Sequence, residues 1–547
     1  MKQMMSVMAP MRDGVRLSCD IRMPDGAGPF PAALLRTPYN KAMLTTSPEP
    51  AAFVNAGYAF VTQDTRGKHE SGGEYTPFRG EDVDGYDTVM WVAEQPWCDG
   101  NVVMTGASYP GWTQFAAAKG APPPLRAITP SVMATDPFRD VLFSNGVPRG
   151  SMIWWAIVNG GRSQRGDPSD NWAEVLTTLP LRDIDKAVGY DREPILQEWF
   201  DHPTGDAFWE AASIVPGYGD ITAAALLIGG WYDVFSAGLM RAFAGLTAAR
   251  GGADNPLRLV MGPWGHSAAE SRVVGHVDFG PGALLDIAGL RRGFLDAVVR
   301  GTNPPAELAA PLRVFMMGAN EWRNEQEWPP ARATSAAFHL GCATAANSMH
   351  GDGTLSRTAA SPRETDEYTY DPLNPAPTIG GAALLPDRPP GPIDQRPAER
   401  RDDVLCYTSD VLDEPLGIMG FVKLELYASS SAPDTDFIGR LCDVRPDGRS
   451  INLCDGILRT RFREGTDKEV MMTPGEVYRL EADMGSTAHA FLPGHRIRLE
   501  VTSSCFPRFM RNLNTGGSVF DETTPMAAKQ TIHHSAQFPS KLILPVV

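Results

Sequence analysis

Short apolar runs alternate with helix-spaced apolar positions over the first third of the chain. Residues 32–35 and 58–62 are runs suited to strands buried on both faces. Val83, Tyr86, Val89, Met90 and Ala93 then recur at helical spacing, a turn at Asp99-Gly100 follows, and residues 102–104 read as the next strand. A second helix is predicted from Trp112 to Lys119, stopped by Gly120. Ahead of these, a D-G turn at Asp13-Gly14 predicts an opening hairpin. Alternation of this kind implies a parallel sheet covered by helices on both faces.

The pattern changes near Asp136. From there to about Gly219 the apolar positions cluster at helical spacing around Trp154, Trp155, Trp172, Trp199 and Trp209, without a strand signal. Strand-like runs resume at 224–228 and 257–261, which predicts a discontinuous first domain carrying a helical insertion. Beyond about Pro330 the tract 343–392 reads as long loops, and period-two strands follow at 422–426 and 496–501, as in a β-sandwich or jelly roll. The expected fold class is therefore α/β with a further all-β domain. Its parts are a catalytic domain over 1–136 and 219–330, a helical cap over 137–218, and a jelly roll over 331–547.

Composition narrows the function classes. The chain has 547 residues, 43% hydrophobic and 21% charged, with 49 Lys+Arg against 65 Asp+Glu, a net charge of −16. That balance excludes general attraction to nucleic-acid phosphates and repels anionic lipid. The longest weakly polar stretch, 222–250, carries Asp233, whose insertion into lipid costs about 2.5–3.5 kcal/mol. The first residues reach Arg12-Asp13 before an apolar signal core forms. The 7 Cys include no C-x-x-C pair. These features point to a cytoplasmic protein without disulfides or membrane contact, its partner a small molecule, with a homodimer left open.

The candidate chemistry begins at Gly106-Ala107-Ser108-Tyr109-Pro110-Gly111, set between a strand and a helix. Strand, sharp turn, Ser and helix form a nucleophile elbow, in which small residues let strand and helix approach. Pro110 occupies the place where G-x-S-x-G has its second glycine. A serine nucleophile needs a base, and the base an orienting acid. Both follow in the order of that fold, each just past a strand: Asp233 in Gly229-Gly230-Trp231-Tyr232-Asp233, and His266 in Gly262-Pro263-Trp264-Gly265-His266. His276 is a nearby competitor that lacks the strand-end setting.

Arg36-Thr37-Pro38-Tyr39, Gln63-Asp64-Thr65-Arg66-Gly67, the Ser108 elbow and the two strand-end motifs together resemble the bacterial cocaine esterase family of X-Pro dipeptidyl-peptidase-like serine hydrolases. Asp402–Tyr407 and Phe491–Arg496 extend the resemblance to the C-terminal part. It implies an α/β-hydrolase, helical cap and jelly roll, and it implies roles for two further residues. The Tyr39 hydroxyl and the Tyr109 backbone N–H would form the oxyanion hole, with Ser108, Asp233 and His266 as the triad and no metal or organic cofactor.

Substrate choice within such hydrolases turns on charge. A free α-ammonium group calls for carboxylates beside the acyl site. Val234-Phe235-Ser236 after Asp233 supply none, so an apolar, aromatic-tolerant acyl pocket is expected, lined by Phe235, Trp155 and Trp154, with Leu384 and Leu385 from the jelly roll. The alternatives are an α-amino acid ester hydrolase or acylase, an X-Pro dipeptidyl-peptidase, and a carbohydrate-binding or interaction protein with a vestigial hydrolase. The run Glu81-Asp82-Val83-Asp84 reads as a solvated helix start. Neither it nor His533-His534 has metal-ligand spacing. An imidazole base predicts a rate that falls as pH drops through about 6–7. An acylation step flat from about pH 5 to 8 would contradict that base.

Overall fold

The apolar runs of the first third form the middle of one large sheet. In the computed structural model, residues 2–45, 47–251, 255–267, 271–359 and 361–547 are described. Ten strands lie in the order Lys2–Pro10, Arg16–Met23, Ala59–Asp64, Phe30–Thr37, Cys98–Ala107, Leu125–Ser131, Ala224–Gly230, Leu257–Gly262, Leu312–Met316 and Glu321–Glu325. The seven from Ala59–Asp64 to Leu312–Met316 are parallel. Antiparallel pairing closes both edges.

Side chains alternate between two cores, as a period of two requires. Ala33, Leu35, Val103, Leu226 and Val260 pack with Leu290 and Phe294 of the helix Ile287–Arg300. Ala32, Leu34, Val102, Met104 and Leu227 face the helices Glu81–Ala93 and Tyr109–Lys119. Parallel strands end on one edge, so the loops after Thr37, Ala107, Gly230 and Gly262 can meet there.

Between Ser131 and Ala224 the chain leaves the sheet and builds the helical cap, with Gly150–Asn159, Pro194–Phe200 and Ala207–Ala212 among its helices. Trp155, Trp172, Trp199 and Trp209 are buried there. A small strand pair, Phe143–Ser144 with Val147–Pro148, interrupts the expected all-helical segment. Each strand has only two residues, too short to leave a periodic signal.

The C-terminal part forms an eleven-stranded all-β assembly that begins at Thr334–Gly341 and includes the long strands Leu416–Ser430 and Tyr478–Phe491. The tract expected as loops contains the strands Thr354–Ser356 and Thr365–Tyr370. The first is only three residues long, and the inward positions of the second are Asp366, Tyr368 and Tyr370 rather than aliphatic residues, so hydropathy hid them. The β domain also joins the catalytic sheet directly: Met317 N–H donates to Ala488 O at 3.0 Å, and Ala490 N–H donates to Met317 O at 2.8 Å.

Two further expectations need correction. The elbow helix begins at Tyr109 rather than Trp112, because Pro110 sits in its first turn, where no N–H is needed. Glu81 and Asp84 are buried, not solvated. Arg36 pairs with Glu81 at 2.8 Å and Arg66 with Asp84 at 2.6 Å, and these guanidiniums pull the acids inward. No helix among the described residues is long and apolar enough to cross a membrane.

A pH-sensitive cluster lies inside the β domain. Glu500 and Glu399 are both buried, Glu500 paired with Arg440 at 2.7 Å and Glu399 with Arg498 at 2.6 Å. Burial pushes the Glu500 carboxyl up to about 7, against the pull of Arg440. A carboxyl raised on folding holds its proton more tightly in the folded chain. Its stabilisation is therefore present in acid and is lost as pH rises through that value. The melting temperature of the wild type is expected to fall more between about pH 5 and about pH 7 than that of Glu500→Gln. Equal slopes in calorimetry would contradict this assignment.

Candidate active site

The turn after Cys98–Ala107 puts Ser108 at φ 62°, ψ −131°, a conformation disfavoured for an L-residue. Its surroundings hold it there. Ser108 N–H donates to Ser131 O at 2.9 Å, while Ser108 O accepts from Gly111 N–H at 2.7 Å and from Trp112 N–H at 3.2 Å. A Cβ on Gly106 would collide with Pro110, and one on Gly111 would press on Met133. Proline in place of the expected glycine is thus accommodated by the glycine on the other side of the turn.

Asp233 and His266 come from two neighbouring strand ends that are laced together. Trp231 N–H donates to Gly262 O and Tyr232 N–H to Trp264 O, each at 2.9 Å, and a Cβ on Gly230 would collide with Trp264 O. The Asp233 carboxylate, 1% exposed, meets His266 Nδ1 at 2.6 Å through Oδ2 and accepts from Phe235 N–H at 2.9 Å through Oδ1. That bond fixes the imidazole orientation. His276 lies elsewhere, beside Asp394. Ser108 and His266 are not hydrogen-bonded to each other in this arrangement, and such bonds often tighten only when substrate binds.

The loop after Phe30–Thr37 brings Tyr39 to the elbow. Its hydroxyl lies beside the Ser108 side chain and the Tyr109 backbone N–H. The same oxygen accepts the indole N–H of Trp155 at 3.0 Å. Burial raises the Tyr39 phenol above its usual range, so it remains a neutral O–H donor. Tyr109 is itself braced: its hydroxyl donates to Glu81 Oε1 at 3.0 Å and accepts from Phe78 N–H at 2.9 Å. A Tyr39 O–H and a Tyr109 N–H converging beside a serine oxygen can stabilise charge on a tetrahedral intermediate.

Other expected residues fall in different positions. Trp155 stacks between Tyr109 and Trp199, at 5.8 and 6.5 Å, so its place is behind Tyr39. Phe235 is buried with its ring edge-on to His266 at 5.7 Å. Trp154, Leu384 and Leu385 do line a cleft of about 590 Å³ that also contains His266. Cap, catalytic domain and jelly roll each contribute to it.

Two residues escaped the reading of the sequence. Asp167 of the cap lines the same cleft, and its oxygens accept the indole N–H groups of Trp154 at 2.9 Å and Trp172 at 2.8 Å. Arg149, 6% exposed, donates from Nη1 to Val234 O at 2.6 Å, bracing the loop that carries Asp233. Arg149 acts across 85 positions, and Asp167 binds indoles 13 and 5 positions away that form no motif with it.

Comparison with known proteins finds relatives along the whole chain. A family described as X-Pro dipeptidyl-peptidase (S15 family) matches residues 13–268, and its C-terminal non-catalytic domain matches residues 305–543. Cocaine esterase of Rhodococcus sp. (strain MB1 Bresler) is 39% identical, over 99% of this chain and 98% of that one. Among solved structures, an α-amino acid ester hydrolase superposes with TM-score 0.89 at 27% identity, over 100% of this chain and 96% of that one. An aminopeptidase from a marine sediment Thaumarchaeota archaeon superposes with TM-score 0.88 at 25% identity, with the same coverage.

Proposed function

The chain belongs to the cocaine esterase family of X-Pro dipeptidyl-peptidase-like serine hydrolases, and on that premise we propose that it hydrolyses carboxylic esters through an acyl-enzyme. Ser108 Oγ attacks the acyl carbon while His266 takes its proton, and the carbonyl electron pair moves onto oxygen. Tyr39 O–H and Tyr109 N–H stabilise that oxyanion. The C–O bond of the ester then breaks, and His266 returns the proton to the leaving alkoxide. Water, deprotonated by His266 in turn, attacks the acyl carbon; the bond to Ser108 Oγ breaks, His266 returns the proton to that oxygen, and the acid leaves. Asp233 holds the imidazole and stabilises its cation. The observation that carries this reading is the Tyr39 hydroxyl, which is oriented by the Trp155 indole N–H and lies beside the Ser108 side chain and the Tyr109 N–H.

The favoured substrates are uncharged esters with an apolar, aromatic-tolerant acyl group, taken into the cleft beside Trp154, Leu384 and Leu385. A second reading, an amino-ester hydrolase, is favoured by Asp167 in that cleft. The two indole donors already compensate its carboxylate, which speaks for a role in bracing Trp154. Seven unpaired cysteines fit a reducing cytoplasm.

Hydrolysis of p-nitrophenyl benzoate and of phenylglycine p-nitrophenyl ester separates the two readings. Faster turnover of the uncharged ester, lost in Ser108→Ala, is the expected result; preference for the amino ester would transfer the assignment to Asp167. Tyr39→Phe is expected to lower kcat by about 10²–10³. Trp155→Phe, which removes the donor that orients Tyr39 and trims the ring stacked on Tyr109, should cost about three- to tenfold. An unchanged kcat in Tyr39→Phe would remove the hydroxyl from the oxyanion hole.

A further inference from the structure

We propose that Cys342, Asp366 and His534 form a binding site for a divalent transition-metal ion of the zinc class in the β domain. The three come from separate segments: Cys342 follows the strand Thr334–Gly341, Asp366 lies in Thr365–Tyr370, and His534 follows Ala528–His533. All are buried, at 1%, 0% and 5% exposure, and their donor atoms lie within 4.8 Å of one another.

The geometry suits four-coordination. Asp366 Oδ1 is 3.2 Å from Cys342 Sγ, Asp366 Oδ2 is 2.9 Å from His534 Nε2, and Sγ and Nε2 are 3.9 Å apart. With metal bonds of about 2.0–2.3 Å, tetrahedral donors stand roughly 3.2–3.7 Å apart, close to this set. One carboxylate oxygen, a thiolate and an imidazole nitrogen supply three of the four donors, and a water would complete the tetrahedron. The mixed sulfur, nitrogen and oxygen set favours zinc over calcium or magnesium. Thiolate and carboxylate together carry two negative charges, which a divalent cation balances inside the low-dielectric core. When zinc replaces the thiol proton, that proton leaves to solvent and no electron transfer is involved.

Outer contacts hold the donors in place. Tyr407 O–H donates to Asp366 Oδ2 at 3.0 Å, Ala346 N–H to Oδ1 at 3.0 Å, and Ser361 Oγ accepts Cys342 N–H at 3.1 Å. His534 Nδ1 has no hydrogen-bond partner among the described residues, so what Nε2 meets sets the ring's orientation. The other buried group of this kind, Glu399, Cys442 and Glu500, already holds the guanidiniums of Arg440 and Arg498 as its cations. His534 gave no local ligand spacing because its partners lie 168 and 192 residues away.

Metal content settles the matter. The full chain, produced with zinc and freed of loose ions by gel filtration, is expected to carry about one zinc per chain by plasma mass spectrometry, and Cys342→Ser far less. Chelation should lower the melting temperature of the wild type and leave that of Cys342→Ser unchanged, with ester hydrolysis at ambient temperature unaffected in both. Cobalt in place of zinc should give a thiolate-to-metal charge-transfer band in the wild type, a readout that holds even if the variant does not fold. Less than a tenth of an equivalent of zinc, no chelator effect and no cobalt band would show a hydrogen-bonded cluster only and overturn the proposal.

Discussion

A serine held at φ 62° stores about 1–3 kcal/mol of backbone strain, and it persists only where the surroundings over-determine it. Here the determinants come from several directions. Ser131 takes the Ser108 N–H, the first helical turn takes its carbonyl, and Gly106 and Gly111 let strand and helix close together. The same turn aims the Tyr109 N–H toward the Tyr39 hydroxyl. Strain at one residue thus sets both the proposed nucleophile and one proposed oxyanion donor. The parallel sheet supplies the rest by ending its strands on the same edge.

The site is nevertheless not the property of the hydrolase domain alone. Trp155 of the cap gives its indole N–H to Tyr39, Arg149 at the start of the cap holds the Asp233 loop, and Leu384 and Leu385 of the jelly roll line the cleft beside His266. Arg149 also bridges to Phe509 of the β domain, and Met510 N–H donates to Pro148 O at 2.9 Å. Packing among the three parts therefore acts on catalysis through orientation, since a misplaced donor loses much of its effect in a preorganised site.

Much of this was legible along the chain because it is written locally. Fully buried strands read as unbroken apolar runs, and the elbow and the strand-end motifs around Asp233 and His266 keep their meaning within a few residues. Tyr39 was legible only through family resemblance, since alone it is an aromatic residue after a strand. What local patterns missed depends on distance. Trp155 reads as a lining residue of the acyl pocket until its N–H is found 116 positions away on Tyr39. Glu81 and Asp84 read as a solvated helix start until Arg36 and Arg66 draw them inward. Asp167 and Arg149 carry no signal, because their partners are indoles and a carbonyl rather than neighbours in a motif.

The central claim is that Ser108 is the nucleophile and that Tyr39 and Tyr109 receive the oxyanion. Its most direct test is a crystal structure of the chain after reaction with an aryl fluorophosphonate. The account predicts a covalent adduct on Ser108 Oγ, with the phosphonyl oxygen about 2.7–3.1 Å from both the Tyr39 hydroxyl and the Tyr109 N–H. An adduct on another residue, or a phosphonyl oxygen turned away from Tyr39, would contradict it.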